Sequence, residues 1–284
     1  MTDEHVFDAV RPWLGEPVEK RISLAEQDRW FEVSTLGPVL RMAQRLVHQP
    51  DRLRPRCMLV AARPGMGKTA LVHELIRRFP HKQDGKNGVT AIPILHCELE
   101  PPAHPNKLYA AVGNALGLPL DTVQPKDVPS IIKLQLKEFD VRAIAIDELG
   151  LLAHSNIKVA RDCCNILKWL GNVTQRPIIG LGTPEIVPIF SRDTQLSSRF
   201  RRWEIPIWTI GTALQSFVKT QLMHLPLREP WESEILEKPG LSLLLKNSDG
   251  TTNGIVEILR NAAVDVLSEG RERLCLEDIE AAVW

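Results

Sequence analysis

Two hydrophobic periods divide this chain. Between residues 57 and 208, short runs of consecutive apolar residues alternate with stretches whose apolar positions recur every three or four residues; beyond 208 only the second pattern persists. The short runs Cys57–Ala61, Ala91–Cys97, Ala143–Ile146, Pro177–Leu181 and Trp203–Ile207 predict five strands. Several are near-continuous apolar runs, as suits a parallel sheet covered on both faces. Helical spacing falls at Lys68–Phe79, Asn106–Leu116, Pro129–Phe139 and Lys158–Leu170, so this stretch reads as an α/β sandwich. Gly211–His224, Leu241–Asn247, Ile255–Ser268 and Leu276–Val283 predict a small all-helical domain, punctuated by Pro226, Pro230 and Pro239. Ahead of the first strand, Leu36, Val39, Leu40, Ala43, Leu46 and Val47 share one face of a predicted helix. Arg41, Arg45, Arg52, Arg54 and Arg56 make that lead-in locally basic. The expected organisation is a helical lead-in over 1–56 packed on the core, an α/β domain over 57–208 and a helical domain over 209–284.

Composition narrows the class without naming it. Hydrophobic content of 44% and charged content of 25% in 284 residues are those of a globular protein large enough for one or two domains. Formal net charge is zero, so nucleic-acid binding has no support from overall charge and would depend on local patches. The five cysteines, Cys57, Cys97, Cys163, Cys164 and Cys275, lack metal-ligand spacing and read as buried free thiols in a reducing, cytoplasmic setting. The opening Met-Thr-Asp-Glu-His does not resemble a signal peptide, and no apolar run reaches the ~18 residues of a membrane span.

The chemistry is concentrated where strands are predicted to end. Ala62, Arg63, Pro64, Gly65, Met66, Gly67, Lys68, Thr69 and Ala70 join the first strand to the first helix of the alternating region. Such a loop gathers backbone N–H groups around a β-phosphate at the positive end of the following helix. Lys68 would reach the β- and γ-phosphates, and the Thr69 hydroxyl would ligate Mg²⁺. The loop opens with Ala62 where the pattern has glycine, which is tolerable if that backbone keeps a negative φ.

The third strand runs Ala143-Ile144-Ala145-Ile146 into Asp147-Glu148. Strand alternation points the two carboxylates different ways. Asp147 can then orient the Mg²⁺ shell while Glu148 polarises an attacking water. The fourth strand ends in Gly180-Leu181-Gly182-Thr183-Pro184-Glu185, where Thr183 is similar to the sensor 1 residue of AAA+ ATPases, which implies contact with a γ-phosphate or lytic water; on residues alone it could cap a helix starting at Pro184. Gln195-Leu196-Ser197-Ser198-Arg199-Phe200-Arg201-Arg202 precedes the last predicted strand. The Ser-Arg pair resembles the arginine-finger box of oligomeric AAA+ ATPases, which implies that Arg199 first, and Arg202 second, would stabilise transition-state charge on a neighbouring subunit's nucleotide; read on residues alone, the segment could simply end a helix on its negative pole.

With these motifs in order, the chain resembles the AAA+ ATPases, and more narrowly the TniB/TnsC-like ATPases of bacterial transposition. The resemblance is carried by Arg21-Ile22, Arg29-Trp30, the two Walker motifs, Gly182-Thr183-Pro184-Glu185, Gln195–Phe200, Leu225-Pro226-Leu227 and the helix Gly254–Ser268. It implies a P-loop AAA+ three-layer sandwich with a five-stranded parallel sheet followed by a helical lid. It further implies ATP and Mg²⁺ as cofactors, and ATP-dependent assembly into rings or filaments on double-stranded DNA. A DDE-type transposase and a TniQ-like targeting protein are the implied partners, with hydrolysis dismantling the assembly. Expected catalytic residues are Lys68, Glu148, Thr183 and Arg199, with Thr69 and Asp147 at the metal. Glu257 stands about where many AAA+ lids carry a sensor 2 arginine, with Arg260 a turn later. Lys107, Lys126 and Lys133 are candidate DNA-backbone contacts. Two other readings stay open: a different DNA-associated AAA+ protein of the helicase-loader kind, and a nucleotide-gated scaffold with negligible turnover.

Overall fold

The computed structural model describes residues 4–31, 33–82, 90–118 and 126–282. Val283, the last residue of the final predicted helix, lies outside them. In chain order the first elements are α1 (Val18–Ala25), α2 (Gly37–Val47), β1 (Cys57–Ala62), α3 (Lys68–Arg78), β2 (Ile94–Glu98) and α4 (Pro105–Ala115). There follow α5 (Val128–Glu138), β3 (Ala143–Asp147), α6 (Ile157–Thr174), β4 (Ile178–Gly182), α7 (Ile186–Arg192), α8 (Thr194–Arg199) and β5 (Phe200–Ile205). The last four helices are α9 (Thr212–Leu222), α10 (Lys238–Asn247), α11 (Thr252–Ser268) and α12 (Leu276–Ala281).

All five strands pair in parallel, in the order β2-β3-β4-β1-β5. The carboxyl ends of β1, β3 and β4 therefore share one edge of the sheet, where ligand sites of open α/β folds form. β1, β3 and β4 are buried at every position, which is why they read as unbroken apolar runs. β5 is an edge strand, buried only at Phe200 and Ile205. Its weak apolar signal explains why it occupies Phe200–Ile205 rather than the expected Trp203–Ile207, and why Arg202 lies inside the strand. β2 starts at Ile94 rather than Ala91 because Pro93, lacking an N–H, interrupts the run. Ala91 instead exchanges backbone hydrogen bonds with Lys82.

The chain forms two compact units. The sheet unit holds Thr35–Pro64 and Lys68–Pro206. Its core is a continuous apolar cluster that includes Leu59, Leu95, Ile132, Ile144, Ile146 and Leu167. Burial pushes the thiols of Cys97 and Cys164 up to about 12 and those of Cys57 and Cys163 to about 11, so all four are inert apolar fillers.

The helical unit holds Met1–Ser34, Ile207–Trp284 and the turn Gly65–Gly67. In it α1 packs on α11, and Val6, Val10, Leu14 and Leu24 form a separate small apolar cluster. The lead-in expected as one block over 1–56 is thus divided. Residues through Ser34 go with the later helices, while α2 packs on β1 and α3. No helix among the described residues is long and apolar enough to cross a membrane.

Candidate functional site

The phosphate-loop candidate begins inside β1. Ala62 is its last, fully buried residue, with ordinary strand backbone, so a methyl group is accommodated where the pattern has glycine. Gly65 and Gly67 adopt φ of +74° and +82°. Any L-side chain there would meet the following carbonyl, at roughly 1–2 kcal/mol per residue. Backbone that visits the left-handed region in this way can turn successive N–H groups into one concavity.

Lys68, the first residue of α3, is only 8% exposed. Its ammonium donates to the carbonyls of Ala62 at 2.9 Å and Arg63 at 3.1 Å. Burial lowers its pKa, and the neighbouring charges of Asp147 and Glu148 partly restore it. Thr69 donates its hydroxyl proton to Asp147 Oδ2 at 2.7 Å. Asp147 is 3% exposed, and its other oxygen accepts from the backbone N–H of Glu148 at 2.8 Å. The hydroxyl of the loop and the carboxylate of the third strand therefore converge on one point.

Glu148 differs from the sequence expectation in its geometry. β3 ends at Asp147, and Glu148 takes φ +58° and ψ +27° as the chain enters a 3-10 turn over Leu149–His154. What separates the two carboxylates is this left-handed turn, not strand alternation. A non-glycine residue held there is strained by about 1–3 kcal/mol, a condition concentrated at functional sites.

The tip of β4 packs tightly against that turn. A Cβ built on Gly182 would lie 2.7 Å from the backbone nitrogen of Gly150. The Thr183 hydroxyl is shielded from solvent and faces the Glu185 carboxylate, whose pKa it helps to hold below the ordinary value. It does not cap a helix: α7 starts at Ile186, and the bond that opens it runs from the Ile186 N–H to the Thr183 carbonyl. The capping expectation is therefore corrected: the hydroxyl turns to the Glu185 side chain rather than to a helix N–H.

Arg199 ends α8 and donates to Asn172 Oδ1. Arg202, on exposed β5, donates to Ser191 Oγ at 3.1 Å. Lys126 and Lys133 are exposed before and on α5, and Lys107 donates to the Pro101 carbonyl. In the helical unit, Arg260 is bound to Glu257 at 3.1 Å and to Asp28 at 3.2 Å. Within the same unit, the N–H of Asn253 on α11, one turn before Glu257, donates to the Gly65 carbonyl at 2.8 Å.

Two residues thus escaped sequence reasoning. Asn253 lay within Thr251-Thr252-Asn253-Gly254, a helix-start signature. His96 sits mid-strand on β2 with a buried, unpartnered Nε2, edge-on to His73 at 5.7 Å. Burial lowers the pKa of His96, opposed by the charge of Asp147. A polar residue inside an apolar run was its only signal.

Among the described residues no cluster of three or more His, Cys, Asp or Glu side chains is grouped for a metal ion. A divalent cation here would draw on Thr69, Asp147 and oxygens of its ligand. That hard-oxygen set fits Mg²⁺, which commonly takes one or two protein ligands plus phosphates.

The fold is similar to that of several solved structures. Aeropyrum pernix ORC1, solved in complex with DNA, superposes with a TM-score of 0.66 over 92% of this chain and 68% of its own, at 16% identity. Drosophila ORC bound to DNA gives 0.62 over 94% and 65%, also at 16% identity. Cdc6p from Pyrobaculum aerophilum gives 0.63 over 92% and 69%, at 12% identity. The chain spans about two thirds of the length of these proteins, and the likeness establishes an AAA+ P-loop fold. No curated protein matches the sequence. The model of the bacterial TniB proteins, however, matches residues 21–210, which hold the whole five-stranded sheet, and the chain belongs to the TniB family.

Proposed function

We propose that this protein is a Mg²⁺-dependent ATPase that assembles on double-stranded DNA and regulates transposition. The observation that carries the reading is the 2.7 Å bond between Thr69 and Asp147 beside the buried Lys68. A loop hydroxyl, a strand-end carboxylate and a lysine in that relation form a receptor for a magnesium triphosphate. The loop N–H groups from Ala62 to Ala70 and Lys68 hold the phosphates, Thr69 and Asp147 hold the metal, and Glu148 takes the proton of the attacking water. A magnesium ion held by Thr69 and Asp147 would supply charge neutralisation for the phosphates. Thr183 orients the water or the γ-phosphate. Arg199 acts on the nucleotide of a neighbouring copy, so that hydrolysis requires assembly into a ring or filament.

Membership in the TniB family supports the transposition setting, with a DDE-type transposase and a TniQ-like protein as partners. The DNA-bound relatives support the DNA part. Contacts through the DNA backbone, with Lys107, Lys126 and Lys133 as candidates, predict affinity that falls steeply with salt.

The test is phosphate release with and without DNA. The wild type should turn over ATP faster on DNA. Glu148→Gln should bind ATP and remain assembled without turnover. Arg199→Ala should bind ATP yet lose a factor of about 10³ or more in rate, as expected of an arginine supplied in trans. Undiminished turnover in Glu148→Gln would remove the assignment of the base. An unchanged rate in Arg199→Ala would remove the trans arginine.

A further inference from the structure

The turn Gly65–Gly67 groups with the helical unit, and one hydrogen bond ties it there. Asn253 is the second residue of α11, so its N–H is among the four at a helix start that find no carbonyl within the helix. The Gly254 N–H is taken by the Thr251 hydroxyl at 3.2 Å. The Asn253 N–H goes to the Gly65 carbonyl at 2.8 Å. The approach is close: a Cβ on Gly65 would lie 3.4 Å from Asn253 Cβ and 3.5 Å from Thr251 Cβ. The start of α11 is itself held firmly. Trp208 donates its backbone N–H to Gly250 O at 2.8 Å and its indole N–H to Thr252 Oγ1 at 2.9 Å, and its ring stacks on Phe217 at 4.8 Å.

A trans peptide is planar, with its C=O and N–H directed oppositely. The bond that pins the Gly65 oxygen therefore also sets the heading of the Met66 N–H. A hydrogen bond accepted at the oxygen polarises the peptide and makes that N–H a stronger donor. We infer that Asn253 is a positioning residue whose main-chain N–H orients the Gly65–Met66 peptide toward the phosphates, so that α11 and triphosphate occupancy of the loop stabilise each other. This rests on the nucleotide-binding reading of the loop. It needs no side chain at 253, only a backbone donor.

The discriminating pair is Asn253→Pro and Asn253→Ala in the full chain. Proline is tolerated in the first turn of a helix, so Asn253→Pro deletes the donor while α11 can still form; Asn253→Ala keeps the donor. Isothermal titration with MgATP should give the alanine variant an affinity within about twofold of wild type and the proline variant one about tenfold weaker, the worth of one hydrogen bond. A second measurement needs no variant: saturating MgATP should slow amide exchange over residues 253–257 of the wild type by about tenfold or more. Equal MgATP affinity in the proline and alanine variants would overturn the inference, as would unchanged exchange in a wild type that binds MgATP. A wild type that fails to bind MgATP removes the nucleotide reading itself and this inference with it, and that outcome is visible before any substitution is made.

Discussion

At the scale of single residues, the site is a set of groups held under constraint. Lys68 is buried against two carbonyls, Glu148 is in a left-handed conformation, and Thr183 keeps a solvent-shielded hydroxyl that faces Glu185. The last of these separates function from packing. The Thr183 hydroxyl meets only the solvent-exposed Glu185 carboxylate, which water can serve as well, so Thr183→Val, nearly the same in shape, should change thermal stability little. If the hydroxyl serves the reaction, ATP turnover should nevertheless fall about tenfold or more, the lower end for loss of a positioned polar group. Thermal unfolding and phosphate release on the same preparation read both quantities. A lower melting temperature with intact turnover would make Thr183 a packing residue. The residues legible in the sequence were those whose type is itself the signal: Gly65 and Gly67 through their backbone freedom, and Lys68, Thr69, Asp147 and Glu148 through their side chains. Asn253 was not legible, because it contributes a main-chain N–H that every residue but proline possesses.

At the scale of elements, legibility followed burial. β1, β3 and β4 are covered on both faces, so their apolar runs predicted them within a residue or so at each end. β5, half solvated at the sheet edge, was displaced by three residues at its start, and the short α7 and α8 beside it left no periodic signal long enough to read. Packing between elements was beyond the reach of periodicity, and the contact of the β4 tip with the 3-10 turn after β3 is the clearest case. A Cβ on Gly182 would press on Gly150 N at 2.7 Å and Gly150 Cα at 3.3 Å, both backbone atoms that cannot swing aside. Gly182→Ala should therefore cost about 1–3 kcal/mol, as overpacking does. It should also depress turnover, because the atoms it displaces belong to the turn that Glu148 opens. Gly171→Ala is the matched control. It lies within α6, where the new methyl would find its neighbours at 3.8–4.0 Å, and losing a helical glycine should stabilise by about 0.5–1 kcal/mol. Urea midpoints of the two variants should move in opposite directions; a shift of the same sign would mean that close approach to Gly150 is not what requires glycine at 182.

At the scale of the whole molecule, the two ends of the sequence meet in one unit, and a buried charge joins them. Arg21 of α1 is fully buried and grips Glu272 through two bonds of 2.7 Å; its Nη1 also donates to Pro226 O at 3.1 Å. Arg228 adds a weaker bond to the same carboxylate at 3.3 Å. Burial works against ionising Glu272, but the donors from Arg21 and Arg228 outweigh it and hold its pKa below the ordinary 4.5. A carboxyl with a depressed folded pKa contributes its full stabilisation above the unfolded value and loses it as pH falls through the folded one. Removing the charge leaves the Arg21 guanidinium buried without a counter-ion. Glu272→Gln should accordingly destabilise the helical unit at pH 7 by about 3 kcal/mol, the low end for breaking a buried pair because part of Glu272 still faces water. That difference should shrink as pH is lowered below 4.5, since the wild type loses the same charge by protonation while the glutamine variant has none to lose. Urea unfolding at pH 7 and at a series of values below 4.5 measures both curves. A difference that stays constant down to the acid limit would mean that shape, not charge, holds Arg21 in place.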